Sequence, residues 1–75
     1  MDYHLFLEKA SIKEEMVEVR TKQGGIFQGY PLYFDEADDN CLGYIFESID
    51  GSLTGIFFQD IESVKIMQRS QQSVS

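Results

Sequence analysis

The sequence has few of the features that stabilise a small secreted protein or anchor it in a membrane. It contains one cysteine among 75 residues, so no disulfide can form within the chain, whereas small secreted domains usually depend on several. No apolar run approaches the ~20 residues of a membrane-spanning helix. The first residues also lack the basic and apolar regions of a signal peptide. These absences predict a cytoplasmic protein.

Positive charge is missing from most of the chain. The formal net charge is −7, and no Lys or Arg occurs between Gln23 and Val64. Because nucleic-acid binding depends mainly on cationic contacts to phosphate, this absence disfavours such a role. The acidic residues of the same segment are Asp35, Glu36, Asp38, Asp39, Glu47, Asp50, Asp60 and Glu62. The residues that could still form a small basic patch are Arg20, Lys22, Lys65 and Arg69.

Motifs for catalysis and for metal binding are absent as well. Neither His4, the only histidine, nor Cys41 has a neighbour in sequence that would make it catalytic. We interpret His4 as a polar residue of the N-terminal segment and Cys41 as a small buried group. The spacing of Glu36, Asp38 and Asn40 matches an EF-hand loop, but Cys41 stands where that loop requires Gly. The sequence predicts no enzyme activity, no metal and no cofactor.

What the sequence does contain is aromatic residues and β-strand alternation. Six Phe and four Tyr supply the buried area that a short chain needs. From Met16 onward, apolar and polar residues alternate with a period of two. The predicted strands cover residues 16–22, 26–34, 42–47, 53–58 and 63–67. The predicted connections are Gln23-Gly24-Gly25, an acidic loop over 35–40, the Asp50-Gly51 hairpin and one helical turn over 59–61.

The N-terminal segment fits two kinds of structure. A helix would place Tyr3, Phe6, Leu7 and Ala10 on one face after an Asp2 N-cap. A strand would instead align Tyr3, Leu5 and Leu7. The segment Ser11 to Glu14 matches a capping box and favours a helical turn just before Met16.

The second strand contains Gly29 and Pro31, which predict a bulge or a sharp bend. A strongly bent strand allows a small sheet to close on itself. The predicted fold is therefore mainly β: a five-stranded, strongly bent small barrel of the SH3-like or Sm-like type with a short N-terminal helix or strand. It forms one domain over residues 1–67, with the N-terminal segment at 1–15 and a frayed polar tail at 68–75.

Strands three and four carry apolar residues on both faces. In strand three, Tyr44 and Phe46 lie on the face opposite Ile45, and in strand four, Leu53 and Phe57 lie on the face opposite Ile56 and Phe58. A small barrel has one interior, so the apolar residues on the other face must pack against another part of the chain or another molecule. Phe6 and Leu7 of the same chain, a second subunit and a foreign partner are the three covers that the sequence leaves open.

The stretch from Met16 to Met67 resembles small barrels of the Sm-like or SH3-like type. The resembling features are the 17–21 strand before a Gly turn, Gly29, Asp50-Gly51 and the ending over 56–64. This ending is similar to that of the YolD-like family and of the Rof-type inhibitors of the transcription terminator Rho. The resemblance implies a non-catalytic regulatory or adaptor role, with nucleic-acid-processing machinery as a target.

Sm-like proteins that bind RNA have an Arg-Gly loop where this chain has Asp50-Gly51. The difference favours a protein partner with a basic surface, and Sm-like RNA binding through the small basic patch is the alternative. The residues predicted to bind a partner are Asp35, Glu36, Asp38, Asp39, Tyr33, Tyr44 and Phe58.

Overall fold

The computed structural model describes residues 2–38 and 41–67. Within them, one helix precedes five strands of a single antiparallel sheet, ordered β4-β3-β2-β1-β5. The elements are α1 (Tyr3–Ile12), β1 (Val17–Thr21), β2 (Ile26–Asp38), β3 (Cys41–Ser48), β4 (Leu53–Phe57) and β5 (Ile61–Ile66), with a 3-10 turn (Phe58–Asp60) before β5. The predicted mainly β fold with five strands is confirmed, and the N-terminal segment is a helix.

Helix α1 begins and ends with specific polar contacts. The Asp2 carboxylate caps it by accepting a hydrogen bond from the Leu5 N–H at 3.1 Å, as predicted. The predicted capping box at Ser11 is wrong, because Ser11 lies in the last turn of α1. Its hydroxyl donates instead to the carbonyl oxygen of Leu32 at 3.0 Å. Ser11 therefore fastens the end of α1 to β2.

The two predicted glycine turns are confirmed, whereas the predicted acidic loop is not. Gly24 and Gly51 lie in the turns, each with a positive φ. β2 extends to Asp38 and pairs with β3, so most of the predicted loop is strand. The reason is that pairing with the apolar β3 supplies ladder hydrogen bonds, which override the low β-propensity of the acidic residues.

Strand β2 pairs with β1 through its first residues and with β3 through the rest, and the two pairings meet at Gly29. A Cβ atom at Gly29 would lie 2.7 Å from the Glu47 carbonyl oxygen and 2.9 Å from the Phe27 ring. The register then shifts between Pro31 and Tyr33. Since Pro31 lies beyond the residues paired with β1, its missing N–H removes no hydrogen bond to that strand. The bulge predicted from Gly29 and Pro31 is present.

One core lies between α1 and the inner face of the sheet. Phe6 packs against this core, and its buried members are Leu7, Ala10, Val17, Val19, Tyr44, Phe46, Ile61 and Val64. Helix α1 thus covers the face that carries Tyr44 and Phe46. Ile56 and Phe58 pack against the same core, so Phe6 and Leu7 cover one of the two apolar sets, whereas Ile45, Leu53 and Phe57 lie on the other side of the sheet.

The short connection between β4 and β5 makes the sheet curl. These strands are the two edges of the sheet, yet only Phe58–Asp60 separates them. Four Cα-to-Cα steps span at most about 14 Å, whereas the edges of a flat five-stranded sheet lie about 19 Å apart. The sheet must therefore bend to bring the end of β4 near the start of β5. Among the described residues β4 and β5 do not pair, so the sheet is open and a closed barrel is not established.

Candidate interaction surface

The face of the sheet opposite the core, which we call the outer face, carries three rows of residues across β2, β3 and β4. Strand pairing defines each row, because directly opposed residues point to the same side of a sheet. The rows are Tyr30, Glu47 and Leu53; then Tyr33, Ile45 and Gly55; then Asp35, Gly43 and Phe57.

Apolar and aromatic side chains form the centre of the outer face. Leu53 is 63% exposed, Tyr33 is 54% exposed and Phe57 is 38% exposed, while Ile45 is half-buried between them. Contiguous exposed apolar surface on a small protein commonly marks a site of contact with another molecule. This set is therefore the first candidate for function.

Two glycines keep the outer face flat between these side chains. A Cβ atom at Gly43 would overlap the carbonyl oxygen of Ile56, so β3 and β4 approach closely only because this position has no side chain. A Cβ atom at Gly55 would lie 3.3 Å from the Cδ1 atom of Ile45, which leans over it. Gly55 therefore leaves a position without a side chain between Leu53 and Phe57, next to the Ile45 side chain.

Two carboxylates lie in the first and third rows of the outer face. Asp35 is half-buried in the row of Phe57, and Glu47 is exposed in the row of Leu53. Strands β2, β3 and β4 contain no Lys or Arg. The apolar centre therefore lies in a field of one sign, which favours a cationic partner.

A cavity of about 450 Å³ extends the outer face towards the C-terminal end of α1. Its lining residues are Ser11, Glu14, Tyr30, Pro31, Leu32 and Glu47. Two carboxyl groups, from Glu14 and Glu47, thus share one opening with the Tyr30 ring. The cavity therefore brings a further carboxyl group, from Glu14, next to that of Glu47.

The structure places the predicted partner-binding residues of β2 at the surface as far as it describes them. Tyr33 and Asp35 lie on the outer face, whereas Glu36 is exposed but pairs with Leu42, on the same side of the sheet as Tyr44. Asp38 is the last residue of β2 and pairs with Cys41. Asp39 lies outside the described residues.

The other two predicted residues, Tyr44 and Phe58, belong to an aromatic cluster on the inner side. The His4 ring stacks on Phe34 with centroids 4.3 Å apart, and it lies 6.2 Å from both Tyr44 and Phe58. Tyr44 is only 3% exposed. Burial raises the pKa of the Tyr44 phenol, and the Glu8 carboxylate adds to the increase. Both residues hold α1 on the sheet, and His4 is a structural contact of the same cluster.

Asp50 organises the turn between β3 and β4. Its carboxylate accepts hydrogen bonds from the Ser48 hydroxyl at 2.6 Å, from the Ser52 hydroxyl at 2.8 Å and from the Ser52 N–H at 3.0 Å. The bonds from Ser48 and Ser52 lower the pKa of Asp50 to about 2. The carboxylate of Asp50 is therefore negatively charged at neutral pH. An RNA-binding loop at this position would instead need a cationic side chain.

Two of the basic residues, Arg20 and Lys65, form ion pairs with the same carboxylate. Arg20 and Lys65 both approach the Glu18 carboxylate, with N···O distances of 3.3 and 3.8 Å. A hydrogen bond from Gln28 is the main cause that lowers the pKa of Glu18, and Lys65 and Arg20 contribute to the decrease. Arg69 lies outside the described residues. The small basic patch is therefore partly neutralised.

Leu53 and Phe57 are surface residues that the predicted partner-binding set did not include. The alternation of β4 already placed them on one face, but it did not show which face α1 would cover. Only the position of α1 distinguishes the covered set from the exposed one.

Comparisons with known proteins add no family to these observations. No family model, curated protein or solved structure matches the chain significantly. In the part of the chain that the structure describes, no three His, Cys, Asp or Glu side chains are placed to hold a metal ion. No helix of that part is long and apolar enough to cross a membrane.

Proposed function

We propose that this protein is a non-catalytic binding or regulatory module that docks on a protein partner through its outer face. The observation that carries the proposal is the exposed apolar centre formed by Tyr33, Ile45, Leu53 and Phe57, with the carboxylates of Asp35 and Glu47 in the neighbouring rows. Such a surface combines contact area with one sign of charge, a combination that supports both affinity and selectivity. The proposal includes a cytoplasmic location and a small barrel architecture of the SH3-like or Sm-like type.

The chemistry of the surface favours a partner with basic residues around an apolar patch. Opposite charges speed the encounter and exclude acidic competitors. A second copy of this chain fits less well, because each copy would bring its own Asp35 and Glu47 to the contact. Nucleic-acid-processing proteins are the proposed target class, since their nucleic-acid-binding surfaces are basic.

A pull-down from a cell lysate with three tagged forms of the protein tests the proposal. They are the wild-type protein, a Tyr33→Ser/Phe57→Ser variant and an Ile26→Ser control, in which an apolar residue that is 57% exposed pairs with Arg20 of β1, outside the three rows of the outer face. We expect a protein captured by the wild type and by the control to be lost with the double variant. Equal capture by all three would show that the outer face is not the binding surface.

The charge component needs a separate variant. Neutralising Asp35, Glu36, Asp38 and Asp39 to the amides should weaken binding of the captured partner and reduce its dependence on salt concentration. The measurement is the Kd at low and at physiological ionic strength. An unchanged Kd at both would contradict the role of the acidic residues.

A further inference from the structure

We infer that the free edge of β4 is a strand-addition site, where an extended basic segment of the partner pairs with residues Leu53–Phe57. The inference rests on the proposed function and deepens it, because it specifies the binding mode and the class of segment that binds. Strand addition satisfies the open main-chain groups of a sheet edge and takes its selectivity from alternate side chains.

The two edges of the sheet differ in how well they resist an added strand. β5 presents the charged residues Glu62 and Lys65, and its pairing with β1 contains a register shift. The Tyr3 hydroxyl also donates to the Glu62 carbonyl oxygen at 3.0 Å, which occupies a main-chain acceptor of β5. Charges, irregular pairing and a covering element are the devices that protect natural sheet edges.

Within residues 2–38 and 41–67, the structure shows none of these protections on β4. Its sequence, Leu-Thr-Gly-Ile-Phe, contains no charge and no proline, and it pairs with β3 without a register shift. In the described structure β3 is its only strand neighbour. A regular, uncharged edge of this kind is a template for another strand.

The side chains of β4 specify what an added strand would carry. Leu53, Gly55 and Phe57 point to the outer face. A large apolar residue of the added strand, placed opposite Gly55, would pack between Leu53 and Phe57, where β4 has no side chain of its own. Aromatic and glycine positions of neighbouring strands pair favourably in this way.

Carboxylates at both ends of β4 specify the flanks of the segment. Asp50 is exposed and precedes Leu53 by three residues, while Asp60 is half-buried and follows Phe57 by three. A segment that spans β4 would therefore place its ends near these two groups, where Lys or Arg is favourable. An antiparallel second copy of β4 would instead bring Asp50 and Asp60 of both copies together.

The test uses the nine-residue peptide Lys-Lys-Val-Thr-Phe-Thr-Val-Lys-Lys and the full-length protein. One control peptide replaces the central Phe with Pro, which prevents strand pairing but keeps the charge, and another replaces every Lys with Glu. We expect saturable binding of the first peptide and at least about tenfold weaker binding of both controls. Hydrogen exchange of the β4 amides that point away from β3 should slow by at least about tenfold at saturation.

Two protein variants locate the site. Leu53→Lys places a positive charge on β4, and Ile26→Lys makes the same change at a similarly exposed residue of β2 that pairs with β1. We expect Leu53→Lys to weaken peptide binding by about tenfold or more and Ile26→Lys to leave it unchanged. Circular dichroism checks that both variants are folded.

Several results would overturn strand addition. Equal binding of the proline peptide, or binding without protection of the β4 amides, would indicate docking on the face alone and would leave the proposed function standing. Protected β4 amides and a dimer in light scattering, both without peptide, would identify a second copy as the occupant. No binding of the first peptide would also reject the inference, whereas the proposed function is decided separately by the Tyr33→Ser/Phe57→Ser variant.

Discussion

At the residue scale, single polar side chains hold the irregular parts of the chain. The Ser11 hydroxyl joins α1 to β2 through the Leu32 carbonyl. The Asp50 carboxylate accepts hydrogen bonds from Ser48 and Ser52 and thereby positions the start of β4. Both contacts form where the chain changes direction, because there the main chain has polar groups that no ladder satisfies.

Asp50 should make the stability of the β3–β4 turn depend on pH. Its folded pKa of about 2 lies below the ordinary value of 3.8, so its contribution is present above about pH 3.8 and is lost as the pH falls towards 2. We expect the melting temperature of the wild type to fall more between pH 4 and pH 2 than that of Asp50→Asn. Parallel decreases would contradict this role, and NMR titration of the carboxyl group gives the midpoint directly.

At the element scale, α1 determines which face of the sheet remains open. The helix is attached by the buried Leu7, by the stacking of His4 on Phe34 and by the hydrogen bond from Tyr3 to β5. These contacts lie on the inner side of the sheet, so the outer face keeps its exposure. The proposed binding surface is therefore a consequence of where the helix packs.

Removing the main apolar anchor of α1 tests this account of the helix. Leu7→Ala should lower the free energy of unfolding by about 2–5 kcal/mol, because Leu7 is fully buried. Leu5→Ala in the same helix should change it by less than about 0.5 kcal/mol, since Leu5 is largely exposed. Urea denaturation of both variants provides the measurement, and similar losses would show that α1 is not docked through Leu7.

At the scale of the whole molecule, charge is segregated. The outer face and the β3–β4 turn carry carboxylates, while Arg20 and Lys65 are gathered around Glu18 on β1 and β5. This distribution supports the cationic partner that we propose for the outer face. Lys9, Lys13 and Lys22 are exposed on α1, at its end and in the β1–β2 turn.

The whole-molecule charge predicts weak interaction with nucleic acid. We expect no retardation of single-stranded RNA in native gels even at low salt, because net charge −7 opposes the phosphates. A known single-strand-binding protein is the positive control. Strong retardation at physiological salt would instead favour the Sm-like RNA-binding alternative.

The sequence by itself determined the local structure of this protein. The alternation of Val17 and Val19, the glycine turns and the Asp2 cap depend on neighbours within a few residues, so they could be predicted. The charge distribution and the surplus of apolar strand residues could also be predicted from the sequence. Together they indicated a contact surface on β3 and β4.

Only the tertiary structure decided which residues form that surface. The inner position of Tyr44, the exposure of Leu53 and Phe57, the extension of β2 to Asp38 and the role of Ser11 all depend on contacts between segments distant in the chain. A period of two fixes two faces of a strand but cannot say which one a helix will bury. The packing of α1 made that choice, because one small core can hold only one of the two apolar sets.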